Sequence, residues 1–493
     1  MFFGRKKILT DVSEISVYNI EEVLNEAMLT HNENRNAIES LYNVYIGKQK
    51  ILSREKTIRP EINNKIVENR ANEIVSFKVG YLCGEPIQYI NKSENEKLGE
   101  EISKLNDYMS LCGKITLDTE LAQWMYIAGI GYRYVAPNSD GIRRGVIPKL
   151  LGKSVYSDDP PFKTHTLDPR NTFVVHYSDV GEPAVMAVRY VQRRDGKVVY
   201  SAYTKDKYFE LESGISGAPA SLVKAQENTL GRLPIIEYPL NSARLGAFEI
   251  VLPILDAINT IQSNRVDGIE QFIQSLIVLY NADIDEEKAA ILREAGLIKL
   301  KSHGDNKADI KILSEQLDQM QTQQLVDYMY QTVLNIVGMP NRNGGSSTSD
   351  TGAAVIVRDG WSAAEARAKS DEQMFKFSEI EFIKVVLNIM RDTVGTPLKL
   401  MDIDIKFTRR NYDNIQSKSQ VLISMLGSPW IHPLVAYEQC GMFSDPQGAY
   451  MMGKQYHDEV MAAMEPVTVE DKDNENDIQQ TGSTAESDEK ADS

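Results

Sequence analysis

The chain has 493 residues, 42% of them hydrophobic, and a formal net charge of -16. That is enough apolar material for large cores in two or three domains, and the excess of acid excludes a protein that grips nucleic acid broadly, since such grip needs Lys and Arg to neutralise phosphates. Three widely spaced cysteines, Cys83, Cys112 and Cys440, fit neither a disulfide framework nor a zinc pattern and read as buried thiols; no apolar run reaches the roughly 18 residues of a membrane span, so a cytosolic origin is expected.

Taken in order, residues 17–110 read as helices. The clearest covers 61–82, where Ile62, Ile66, Ile74, Phe77 and Tyr81 fall at helical spacing between Pro60 and Gly84. A helix over Leu117–Ala128 ends at Gly129, and Tyr132–Val135 is a strand. From 132 to 240, β-branched and aromatic runs at Thr172–Tyr177, Val185–Val191 and Val198–Tyr203 predict a mostly antiparallel β region. Asp195-Gly196 is a hairpin signal, and Ser213–Ser221 reads as a loop.

Residues 246–280 carry Leu255, Ile258, Ile269, Ile273 and Leu276 on one helical stripe, predicting a helix of roughly 50 Å at 1.5 Å per residue. The polar interruption Gln262-Ser263-Asn264-Arg265 predicts a wet channel or a subunit seam along part of it. Residues 281–312 form a small mixed insert with a helix at Asp285–Ala295 and strands at Leu297–Leu300 and Ile310–Leu313. A second long helix runs to Val337. The loop from Met339 through Asn341, Arg342, Asn343, Gly344, Gly345 and Ser346 is too rich in Gly, Ser and Asn to bury anything. A third long helix is expected over 351–393, bent at Gly360-Trp361, followed by a strand at Leu398–Phe407. Residues 413–464 form a smaller helical module broken at 427–433 and 444–446. Residues 466–493 hold nine acids against two lysines and read as a disordered tail.

The series Gly231-Arg232-Leu233-Pro234-Ile235-Ile236, Asn241, Gly246, Phe248-Glu249, Ile254-Leu255-Asp256-Ala257-Ile258-Asn259, Ser263, Asp267 and Phe272 resembles the approach to the stem of tailed-phage portal proteins, as in siphophages of Gram-positive bacteria. Tyr81-Leu82-Cys83-Gly84-Glu85-Pro86-Ile87, Leu167-Asp168-Pro169 and the Gly/Ser loop follow the family's order. The similarity spans about residues 20–460. It implies an α+β, mainly helical portal fold: wing 1–245, stem helix 246–280, clip 281–312, second stem helix 313–338, tunnel loop 339–350, a kinked wing helix and strand 351–408, crown 409–465, and the tail.

The resemblance implies no catalysis and no cofactor. It implies a homo-oligomeric ring, twelve-fold in a capsid, assembled in host cytoplasm and carried in the virion at the portal vertex. The implied partners are the terminase large subunit, a head-completion adaptor, major capsid and scaffolding proteins, and double-stranded DNA contacted weakly; no membrane is expected. Residues 341–346 would face DNA, with Arg342 touching phosphates transiently. Lys288, Arg293, Lys299, Lys301, Lys307 and Lys311 of the clip stand among seven acids, a mixture suited to a protein partner.

The residues offer little to a chemical reading. The six histidines, His31, His165, His176, His303, His432 and His457, form no HxxxH or HxH pair, and no Lys follows Gly344-Gly345 as a P-loop requires. Asp158-Asp159 or Asp402 with Asp404 could hold Mg²⁺ in a nuclease, but Asp402 and Asp404 alternate with Ile403 and Ile405 as the wet face of an edge strand does. The alternative to a portal is a minor capsid-associated protein without a channel.

Overall fold

The computed structural model describes residues 4–57, 59–92, 96–138, 159–214, 218–273, 276–280, 309–313, 319–341, 360–408, 415–443 and 446–464. It divides into two compact units, Met1–Ile415 and Gln416–Ser493. The first begins with β1 (Ile8–Thr10), α1 (Ile20–Tyr45), α2 (Arg70–Cys83), β2 (Gln88–Asn91), α3 (Glu96–Leu111) and α4 (Lys114–Ala128). Eight strands follow: β3 (Ile130–Pro137), β4 (Phe162–Leu167), β5 (Thr172–Tyr177), β6 (Ala184–Gln192), β7 (Val198–Tyr203), β8 (Lys207–Ser213), β9 (Ser221–Glu227) and β10 (Ile235–Pro239). Then come α5 (Leu252–Ile273), β11 (Leu276–Tyr280), β12 (Asp309–Leu313), α6 (Gln319–Val337), α7 (Trp361–Val394) and β13 (Ile403–Lys406). The second unit holds α8 (Ile415–Leu426, all but its first residue), α9 (Pro433–Cys440) and α10 (Pro446–Met464). The fold is α+β and mainly helical.

Strands β5 to β9 form an antiparallel meander, to which β1 adds in parallel beside β5. The Asp195-Gly196 turn joins β6 to β7 as expected. Ile20, Val23, Leu24 and Ala27 of α1 pack on Phe173, Val175, Met186 and Val188. Their spacing of three and four makes one apolar stripe on the helix, and the strand alternation supplies one apolar sheet face.

A larger core gathers α2, α4 and α7 around the three-stranded sheet β10-β3-β4. Met125, Tyr238, Phe248, Leu255, Phe375 and Phe382 are buried there. The reversal from α4 into β3 depends on Gly129: its φ is 77°, and a Cβ would lie 2.0 Å from the Arg244 carbonyl oxygen. Only glycine combines that conformation with so close a backbone neighbour.

Four sequence expectations change. The helix expected at 61–82 begins only at Arg70; residues 62–69 belong to no helix or strand, and alternate N–H groups of 64–68, spaced as in an extended chain, are held by side chains of α5. The helix expected at 246–280 begins with a short 3-10 turn at Glu249–Val251, is α-helical over Leu252–Ile273, and is replaced by β11, which pairs with β12 and so includes Leu276. Leu398–Phe407 contains a 3-10 turn at Leu400–Asp402 and a strand of only four residues, bounded by its pairing with β2. Gly360 is the left-handed residue from which α7 starts, rather than a bend within a described helix. Of the third long helix as expected, residues 351–359 lie outside the described residues.

Candidate functional site: the anchored helices α5 and α6

The approach to α5 is fixed by one buried carboxylate. Glu249, 3% exposed, accepts the backbone N–H groups of Gly4 and Gly246, each at 2.9 Å, and pairs with the buried Arg5 guanidinium. A buried carboxylate needs such partners, because isolated it would cost several kcal/mol. Asn241 closes the preceding turn by bonding both the N–H and the carbonyl of Leu245.

Along α5, Asn259, Ser263 and Asp267 are buried on one face. They accept hydrogen bonds from alternate backbone N–H groups of the extended segment: Asn64 to Asp267 Oδ1 at 2.7 Å, Ile66 to Ser263 Oγ at 3.0 Å, and Glu68 to Asn259 Oδ1 at 2.8 Å. The periods match. Four helical residues rise about 6 Å, and two extended residues about 6.6 Å, so every fourth helix position meets every second strand-like N–H. Lys56 and Arg54 add ion pairs to Asp267 at 3.0 and 3.1 Å.

The polar stretch 262–265 therefore finds hydrogen-bond partners within the chain, while Asn264 stays exposed and Gln262 and Arg265 half-buried. Gln262 donates to Glu68, Ser263 accepts from Ile66, Asn264 accepts from Arg54, and Arg265 reaches Gln319 and Gln323 of α6. Arg265 thus ties α5 to α6. At their base, Leu252 and Leu255 of α5 and Val333, Leu334 and Val337 of α6 join the main core.

Both excursions from this helix pair begin and end together. Tyr280 and Asp309 are opposite one another in the antiparallel pair β11–β12, so the segment between them leaves and returns at one place. After α6, the Met339 N–H bonds the Leu334 carbonyl and Arg367 bonds that of Ile336. A Cβ on Gly360 would lie 3.9 Å from Pro340 Cα, so the chain also leaves α6 and re-enters α7 at one place.

Of the expected stem residues, Leu255 and Ile258 are buried, whereas Ile269 is 47% exposed. Ile273 ends α5 and Leu276 starts β11; their side chains lie outside the described residues. Asn341 is half-buried, while Arg342, Asn343, Gly344, Gly345 and Ser346 lie outside the described residues. So do Lys288, Arg293, Lys299, Lys301 and Lys307; Lys311 is in β12, opposite Val278.

Sequence reasoning missed a buried charge centre joining α7 to the sheet. Glu379 accepts from the Tyr89 and Tyr238 hydroxyls at 2.6 Å each and pairs with Lys114 at 2.9 Å and Arg133 at 3.5 Å. Asp118 pairs with the same two cations. Burial alone would raise the Glu379 pKa, but Lys114, Arg133 and the two hydroxyls reverse this and hold it well below the usual carboxylate range. The only sequence signal is Lys114 and Asp118 at i, i+4. The two charges of each sign cancel, and no side of this cluster is open to a substrate.

Of the residues weighed for chemistry, Asp402, Asp404, His31 and His432 have structural partners, while Asp158, His303 and Gly344-Gly345 lie outside the described residues. Asp402 Oδ2 accepts the Lys399 N–H in its turn, and Asp404 lies between buried Ile403 and Ile405. His31 stacks on Phe173 at 4.4 Å, and His432 caps α9. Among the described residues no group of three or more His, Cys, Asp or Glu could hold a metal ion, and no helix is long and apolar enough to cross a membrane. Cys83 and Cys440 are buried and Cys112 half-buried.

The model of the family "Phage portal protein, SPP1 Gp6-like" matches residues 28–462, most of the chain. The chain belongs to this portal family. No curated protein matches it. Among solved structures, it is similar to a chain from the "Neck of empty GTA particle computed with C6 symmetry", with 9% identity, 76% of this chain and 90% of that chain covered, and a TM-score of 0.42. Phage portal proteins are structural proteins, the head-tail connectors of bacteriophages; membership implies a homo-oligomeric ring and a place in the virion capsid.

Proposed function

We propose that this portal protein forms the ring-shaped channel, twelve subunits in the capsid, through which phage DNA is packaged and ejected. The observation that carries this reading is the family match over residues 28–462. The anchored pair α5–α6 supports it, since a channel wall needs helices fixed rigidly to the body of each subunit. Ile269, Met320, Leu325 and Tyr328 expose apolar surface on this pair, as expected of residues that neighbouring subunits would cover. The net charge of -16 suits sliding, because each phosphate contact would add affinity and a place to stall.

In this reading residues 341–346 form the constriction and the β11–β12 excursion is the clip, which docks the terminase large subunit and later a head-completion adaptor. Capsid and scaffolding proteins would surround the ring. Negative-stain microscopy of the purified full chain tests the assembly: rings of about twelve subunits with a central hole are expected, and monomers at high concentration would favour a minor capsid protein. Replacing residues 283–306 with a short Gly-Ser linker, which keeps β11 and β12, should leave rings but abolish terminase docking. Retained docking would exclude the clip as that surface.

A further inference from the structure

We infer that neighbouring subunits meet by seating the outer face of α1 in a cleft beneath α7. This deepens the ring reading and rests on it: membership implies a ring, and the inference assigns which surfaces close it. A ring contact is heterologous, so each subunit must carry two different complementary patches on opposite flanks.

One patch is the exposed stripe of α1. Glu22, Glu26, Leu29 and Glu33, at spacings of four, three and four, face away from the sheet. Leu29 is 70% exposed, which leaves a large aliphatic side chain in water among acids. Glu33 pairs with Lys6, whereas Glu22 and Glu26 have no cationic partner among the described residues.

The other patch is a cleft of about 720 Å³ bounded by β5, β10 and α7. Val174, His176, Leu233, Ile235, Phe377 and Val385 line it. Phe377 is 71% exposed at its rim, and Ile380, one turn along the helix, is 36% exposed. The acids here have internal cations: Glu182 with Lys7, Glu237 with Arg244, and Glu381 with Lys384. Lys205 and Arg232 also line the cleft and have no acidic partner among the described residues.

The two patches lie on opposite faces of one sheet. Successive side chains of a strand point to opposite sides; α1 covers Phe173 and Val175 of β5, while Val174 and His176 bound the cleft. Each patch joins an exposed apolar side chain to two unpaired charges, acidic on one and basic on the other. A second copy of the chain satisfies both at once, burying Leu29 against Phe377 and pairing Glu22 and Glu26 with Lys205 and Arg232. Repetition of that contact around an axis closes a ring.

Charge exchange in the full-length protein tests this by mass photometry and electron microscopy, with circular dichroism monitoring the fold. E22K/E26K and K205E/R232E should each raise the concentration needed for rings about tenfold or more, since like charges then face each other; the quadruple variant should restore assembly. L29C/F377C should crosslink between subunits within rings. If both charge variants assemble as the wild type does, or the quadruple variant does not restore rings lost in the doubles, the assignment is overturned while the ring stands. Absence of rings from the wild type would instead overturn the ring reading and the inference with it.

Discussion

Glu379 illustrates how a single side chain can hold a long helix in register. Its carboxylate fastens α7 to β2, α4, β3 and β10 through two tyrosines and two cations, all shielded from water. Replacing it with Gln leaves Lys114 and Arg133 with only Asp118 between them, and removal of one member of a buried charge set costs about 3–5 kcal/mol. Glu379→Gln should therefore lower the denaturation midpoint markedly, and an unchanged midpoint in chemical unfolding would refute this role. Because the folded pKa is depressed to about 2 from 4.5, the carboxylate contributes stability that is complete above pH 4.5 and lost as pH falls through 2. His31 adds an earlier loss. Burial lowers its pKa from 6.5 to about 4, so the unfolded chain takes up the proton first and stability declines from pH 6.5 towards 4. Unfolding measured from pH 7 to 2 should show both windows in the wild type, and the Glu379→Gln variant should lose the more acidic one.

At the scale of elements, the pairing of α5 with residues 64–68 determines what supports this helix. The three acceptors Asn259, Ser263 and Asp267 replace the partners that a helix or a sheet would have given these N–H groups. Hydrogen exchange should show the amides of Asn64, Ile66 and Glu68 protected although the segment belongs to no sheet. Asp267→Ala should expose Asn64 most, destabilise the protein by about 1–3 kcal/mol, and free Lys56 and Arg54; uniform rapid exchange in the wild type would contradict the ladder. The resemblance series contained Gly246, Glu249, Asn259, Ser263 and Asp267, so the residues of the anchorage were legible in the sequence. Their purpose was not, because the backbone groups they satisfy lie some 200 positions away.

At the scale of the whole molecule, the first unit presents two excursions, each returning to its point of departure. The one after Pro340 contains Arg342, the single cation in the proposed constriction. Arg342→Glu should reduce DNA packaging or retention in assembled heads without altering ring formation, because it removes a transient phosphate contact and adds repulsion. Normal packaging and retention would dismiss a DNA-facing role for this residue.

The sequence by itself determined the family, through an ordered series of motifs; the mainly helical α+β class, through its periodicities; and the antiparallel β region, whose runs Thr172–Tyr177 and Val198–Tyr203 match β5 and β7 residue for residue. Only the tertiary structure decided the state of residues 61–69. Ile62 and Ile66 are four apart, a spacing that satisfies a helix of period 3.6 and an extended chain of period two equally well. The choice falls to the partner: α5 offers acceptors every 6 Å or so, which alternate N–H groups of an extended chain can use and those of a helix, already bonded along its axis to carbonyls four residues back, cannot.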